Sequence, residues 1–148
     1  KSKKLIKNWM YANSIHLIDY VSVLSRGVIK KKYFISKSKN EINYYLVFSS
    51  GDTVNYICRW NKPGPWQVKV STKKYYFEMS PLEILRIKSD DNKENLVLDI
   101  SNDDKKFKTG LKLQVENLIN VFLNKKNNLV DLTGMNKTMK LLKAIYSK

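Results

Sequence analysis

Residues 26–39, RGVIKKKYFISKSK, carry six cations in fourteen positions, with Tyr33, Phe34 and Ile35 among them and no acid between. Cations at that density suit a phosphate or another anion, because ammonium and guanidinium groups donate charge-assisted hydrogen bonds to its oxygens. The whole chain repeats the bias, with 28 Lys/Arg against 13 Asp/Glu and a net charge of +15. The excess is uneven: residues 1–74 hold 15 Lys/Arg against Asp19, Glu41 and Asp52, whereas residues 75–148 hold 13 against 10. Such an asymmetry points to an anionic partner: a phospholipid surface, a nucleic acid or an acidic protein.

Catalytic and metal-binding patterns are missing. His16 and Cys58 are the only residues of their kinds, short of the roughly four N/S ligands of a zinc site. No nucleophile-elbow, zincin or phosphate-loop spacing occurs. The acid pairs Asp90-Asp91 and Asp103-Asp104 sit in polar turns beside lysines rather than in a cleft. The expectation is therefore a non-enzyme with no cofactor and no metal. One cysteine excludes an internal disulfide and fits a reducing compartment. No run of about 18 apolar residues is present, and no signal peptide is recognisable. The sequence begins at Lys1, which leaves room for a preceding segment.

At 148 residues the chain has the length of one domain. Residues 2–25 fit one or two amphipathic helices, with Leu5, Ile6, Trp9 and Met10 on one face and Leu17, Ile18, Val21 and Leu24 on a second turn capped by Ser14 and ended by Gly27. Strand patterns follow over 28–35, 41–49, 53–60, 66–70, 74–79, 82–88, 96–100 and 107–113, punctuated by Ser50-Gly51-Asp52 and by Pro63-Gly64-Pro65. The period then changes. Val115, Leu118, Ile119, Phe122 and Leu123 mark a helix face, and Met135 to Tyr146 a last helix.

Some seven strands closed by one amphipathic helix resemble the pleckstrin homology family. The resemblance covers about residues 27–126, on GVIKKKYFISKSKNEINYYLVF, the SGD turn and LVLDISN…KKFKTGLKLQVENLINVFL. It implies a mainly β fold with helices, a seven-stranded bent sandwich or barrel plugged by the 115–123 helix. The domain would span 26–127, with a helical extension over 1–25 and a last helix over 128–148. The composition and the added N-terminal helix are most similar to the acylated, phosphatidic-acid-binding branch in apicomplexan parasites. That branch implies a peripheral membrane protein on the cytoplasmic face of a secretory organelle, the microneme, supporting its exocytosis as a monomer.

On this resemblance Lys32 and Lys37-x-Lys39 match the family's headgroup motif, with Lys where an Arg is usual, which favours phosphatidic acid over phosphoinositides. Arg26, Lys30, Lys32, Lys37 and Lys39 would surround the phosphate, and Arg59, Lys62, Lys73 and Lys74 would add field. Tyr33, Phe34 and Trp66 would insert into the membrane, although one of Tyr33 and Phe34 must face the core if the strand alternates. Two other classes stay open: a basic nucleic-acid-binding domain, and a protein-interaction scaffold of the same fold.

Overall fold

The computed structural model describes residues 14–38, 40–60, 62–89, 95–98 and 100–146. In chain order they form α1 (Ile15–Leu24), β1 (Ile29–Lys37), β2 (Glu41–Phe48), β3 (Thr53–Arg59), β4 (Val68–Ser71), β5 (Tyr75–Met79), β6 (Leu85–Ser89), β7 (Asn95–Leu98), α2 (Asn102–Lys106), α3 (Leu111–Phe122) and α4 (Leu132–Tyr146). Two compact units result, residues 1–64 with 131–148 and residues 65–130.

The first unit is a three-stranded antiparallel sheet in the order β1-β2-β3. Its centre is β2, whose alternate residues Ile42, Tyr44, Leu46 and Phe48 are buried. Alternation at period two puts all four on one face. Ile18 and Val21 of α1 and Leu142 and Ile145 of α4 complete the same cluster, so both helices cover that face. Each helix offers a short apolar edge at helical spacing, and Thr138, Leu142 and Ile145 are the buried positions of α4. Polar groups fix the helix pair as well. Thr138 Oγ1 donates to Asp19 Oδ1 (2.5 Å), Ser22 Oγ donates to the Asp19 carbonyl (2.8 Å), and Lys137 Nζ donates to the Ser22 carbonyl (3.0 Å).

Ser14 stands at the N-cap position of α1 but makes no capping bond. Its hydroxyl lies 2.9 Å from Cys58 Sγ on β3, joining helix to sheet. Gly27 follows the helix at φ +77°. A Cβ there would fall 2.3 Å from Ser49 Oγ, which itself accepts the Val28 N–H at 3.1 Å. Close approach and left-handed backbone together explain the glycine.

The second unit is a four-stranded antiparallel meander in the order β4-β5-β6-β7. Lys69 and Glu78 face each other across β4 and β5 and form an ion pair of 3.2 Å. Ser101 caps α2, its hydroxyl accepting the Asp104 N–H at 3.1 Å. Asn117 is the buried residue of α3; it donates to the Leu113 carbonyl (2.8 Å) and accepts the Asn128 N–H (2.7 Å), tying the outgoing chain to the helix.

This architecture overturns the expected seven-stranded barrel. The strands form two open sheets of three and four, and the helix meant to plug the barrel belongs to the second unit with its apolar residues exposed. Residues 107–113, expected as a strand, instead leave α2, turn, and enter α3 after Gly110 at φ +78°. The basic helix expected around Trp9 lies outside the described residues.

If the β2 face carries the stability, Leu142→Ala should cost about 2–5 kcal/mol in denaturant unfolding. Leu113→Ala, at a residue 60% exposed, should stay within about 0.5 kcal/mol.

Candidate functional site

Three of the cations in and around the first sheet, Arg26, Lys32 and Arg59, have partners within the chain. Arg26 holds Asp52 at both ends, Nη2 to Oδ1 at 2.8 Å and Nε to Oδ2 at 3.1 Å, while its own N–H donates to Oδ2 at 2.8 Å. These bonds hold the Asp52 carboxyl far below the usual carboxylate range. Arg59 Nε pairs with Glu41 Oε2 at 2.9 Å and, with the Ser36 hydroxyl, holds the Glu41 carboxyl down. Lys32 Nζ donates to the Ala144 carbonyl in the last turn of α4 at 2.7 Å, and lies 5.3 Å from the Phe34 ring centre and 5.8 Å from that of Tyr44. A cation at a helix C-terminus answers the unpaired carbonyls there.

Lys30 and Lys62 are exposed in the first unit. Lys73 and Lys74 lie in the β4–β5 turn of the second, as does Trp66 in the segment entering β4, 41% exposed. Lys39 and the side chain of Lys37 lie outside the described residues. Of the two aromatics in β1, Phe34 is on the core side, its ring 4.4 Å from that of buried Tyr44, and Tyr33 is on the other.

That other side is the open face of the first sheet. Register places Tyr33 opposite Tyr45 and Tyr45 opposite Asn55, with Asn43 opposite Ile57 and Glu41 opposite Arg59. Tyr33, Tyr45 and Ile57 are 49%, 37% and 44% exposed, and the two tyrosine rings stand 6.3 Å apart. Asn43 Oδ1 is buried with no hydrogen-bond partner among the described residues. A buried acceptor in that state costs its desolvation. The face thus combines aromatic platforms, amide groups and an ion pair. Its one described carboxylate, Glu41, is committed to Arg59, so the arrangement binds and orients but supplies no general base.

The stretch that was conspicuous in sequence thus contributes Tyr33 to this face, and Arg59 joins it from β3. Asn43, Tyr45 and Asn55 went unselected. They share the odd parity of β2 and its register partner, and knowing which parity faces the helices would have exposed them.

Beneath the sheet a second polar group forms in the core. Tyr56 Oη and Tyr146 Oη are 3.1 Å apart, and the Tyr146 ring meets that of Tyr44 edge-on at 6.1 Å. Burial pushes the ionisation of Tyr44, Tyr56 and Tyr146 upward, reinforced at Tyr56 by Tyr146 and Cys58. Among the described residues no group of three or more His, Cys, Asp or Glu could hold a metal ion. No described helix is long and apolar enough to cross a membrane.

No protein-family model matches the chain, and no curated protein matches it. Its fold is shared with solved structures. A dehydrogenase (MviM) of Clostridium difficile superposes with a TM-score of 0.70 at 16% identity, over 95% of this chain and 48% of that one. UDP-N-acetylglucosamine 3-dehydrogenase GnnA of Acidithiobacillus ferrooxidans gives 0.69 at 12% identity, over 88% and 43%. A protein assigned as an NADPH-dependent oxidoreductase of Desulfitobacterium hafniense gives 0.63 at 14%, over 91% and 44%. The chain therefore spans less than half the length of the structures it resembles.

These findings overturn the pleckstrin homology resemblance, and with it what rested on it. Phosphatidic acid or other acidic phospholipid as partner, and a role on micronemes, lose their ground; the nucleic-acid alternative gains none. Of the nine cations expected to bind lipid, Arg26, Lys32 and Arg59 are engaged by Asp52, a helix terminus and Glu41, while Lys30, Lys62, Lys73 and Lys74 are exposed. The non-enzymatic reading is corrected too, since the shared fold is one that dehydrogenases use.

Raised tyrosine ionisation contributes stability that is complete below the unfolded value of about 10 and is lost as pH rises above it. Tyrosinate absorbance from Tyr44, Tyr56 and Tyr146 should therefore be held back until the protein unfolds in alkali, and Tyr56→Phe should move that unfolding to higher pH. Removal of the Tyr44 hydroxyl, which has no partner among the described residues, should leave stability unchanged or raise it. Thermal melts of Tyr44→Phe check this.

Proposed function

We propose that this chain is the substrate-side half of a two-part, nicotinamide-dependent oxidoreductase, binding a hydroxylated, anionic substrate on the open face of the first sheet. One observation carries the reading: every described strand pairing is antiparallel, in a fold shared with dehydrogenases. Dinucleotide binding in doubly wound folds needs parallel strands feeding helix N-termini through a Gly-rich turn. Neither occurs among the described residues, so the part of an oxidoreductase that fits this chain is the one that does not hold the nucleotide.

The open face suits the other task. Tyr33 and Tyr45 offer ring faces and hydroxyls to a sugar-like substrate. Asn43 and Asn55 add amides, and the first unit's 16 Lys/Arg against 4 Asp/Glu give positive field for an anionic substituent. In such a pair an oxidised nicotinamide held by the other half would supply the hydride acceptor, and the residues of this face would hold and orient the substrate. The resemblance to a UDP-N-acetylglucosamine dehydrogenase supports a sugar nucleotide as the first probe.

Saturation-transfer NMR on the full chain tests this. UDP-N-acetylglucosamine should receive saturation, Tyr45→Ala should abolish it, and NADPH should receive none. Binding of NADPH by the chain alone, or failure of the sugar nucleotide to bind, contradicts the proposal.

A further inference from the structure

Lys31 stands on the open face of the first sheet. Register pairs it with Val47, and Val47 with Thr53, so these three form the row beside Tyr33, Tyr45 and Asn55. The irregularities of β1 fall between Ile29 and Lys31 and between Phe34 and Ser36. Lys31 and Tyr33 therefore keep the two-residue period and share a face. About 7 Å separates neighbouring rows, within reach of a long side chain. Lys31 is exposed, and among the described residues it has no hydrogen-bond or ion-pair partner. The cations around it differ. Arg26 is taken by Asp52, Arg59 is paired with Glu41, and Lys32, opposite buried Leu46, turns to the other face and the end of α4.

The two ends of the face are also unlike. Glu41 and Arg59 form the row at the far end, about 20 Å from Lys31 along the strands. There Arg59, Ser36 and nearby Lys62 hold the Glu41 carboxyl down, so it stays charged. A phosphate set beside it would meet a like charge. At the Lys31 end Val47 and Thr53 are uncharged. Asp52, whose carbonyl accepts the Phe48 N–H at 2.9 Å, follows the parity of that buried residue and gives both carboxylate oxygens to Arg26.

We infer that Lys31 receives the diphosphate of a sugar nucleotide, its ammonium bonded to phosphate oxygens while the sugar lies over Tyr33, Tyr45 and the amides toward Glu41. A lysine ammonium is a compact charge that donates to phosphate, and a tyrosine ring offers an apolar face with a polar tip. Resting on the substrate-binding role proposed above, this assignment gives the ligand a direction and names the residue that chooses a phosphorylated sugar over a free one. Every residue it uses belongs to one compact unit.

Chemical-shift titrations of the full chain with UDP-N-acetylglucosamine, uridine diphosphate and N-acetylglucosamine, at low and high salt, separate the contributions. The wild type should bind the sugar nucleotide and the diphosphate. Lys31→Met should weaken both about tenfold and flatten their salt dependence, and Lys31→Arg should restore them. N-acetylglucosamine should bind the wild type and Lys31→Met alike. Lys62→Met removes the same charge at the Glu41 end and should change sugar-nucleotide affinity less than about twofold. On the wild type itself, Lys31 signals should shift with uridine diphosphate and not with N-acetylglucosamine, a reading that needs no variant to fold. Sugar-nucleotide binding unmoved by Lys31→Met, or moved equally by Lys62→Met, overturns the assignment and leaves the substrate-binding role standing. So does an equal loss of N-acetylglucosamine, since Lys31 would then shape the face instead of reading phosphate. A wild type that binds none of the three overturns both.

Discussion

The structure depends on one face of one strand. Ile42, Tyr44, Leu46 and Phe48 of β2 form the inner surface on which α1 and α4 sit, and seven of the nine most buried hydrophobic residues are those four with Ile18, Leu142 and Ile145. Each apolar side chain buried there contributes about 1.5–3 kcal/mol relative to exposure. Because strand residues alternate, covering that face with two helices commits Asn43, Tyr45 and their register partners to the other. The candidate binding face is therefore a consequence of core formation.

The cations follow the same logic. A run of lysines reads as a surface waiting for an anion, yet three of the nearby cations close the protein on itself. Arg26 ties the start of β1 to the β2–β3 turn through Asp52, Arg59 joins β3 to β2 through Glu41, and Lys32 reaches the end of α4. The first two are exposed pairs of small energetic weight in salt. The two pairs bear on the register and turns of the sheet and Lys32 on the seating of α4, so part of the charge that looked functional is architectural.

Much of the secondary structure was legible in the sequence. Period-two alternation located β1, β2 and β3, helical spacing located α1, α3 and α4, and Ser50-Gly51-Asp52 located the β2–β3 turn, where Gly51 takes φ +89°. Phe107 to Leu113 failed because apolar residues two apart also fit a helix N-terminus preceded by a turn. Tertiary arrangement was less accessible. Nothing in the spacing of Val115 to Leu123 says whether the stripe fills a barrel or stays exposed; the buried face of α3 is set by one polar residue, Asn117, whose partner is a backbone N–H eleven residues on. The candidate site was missed for a similar reason. Asn43 and Tyr45 are ordinary strand residues until the helices determine which parity is open.

The central claim is that α4 seals the inner face of β2 and leaves the outer face free. Aromatic and methyl NOE spectroscopy on the full chain tests it most directly. The account predicts cross-peaks between the rings of Tyr44 and Tyr146 and between those of Phe34 and Tyr44, whose centres lie 6.1 and 4.4 Å apart, with Leu142 and Ile145 methyls in the same network. Absence of those contacts, with the Tyr146 ring as mobile as a free tyrosine, would contradict it.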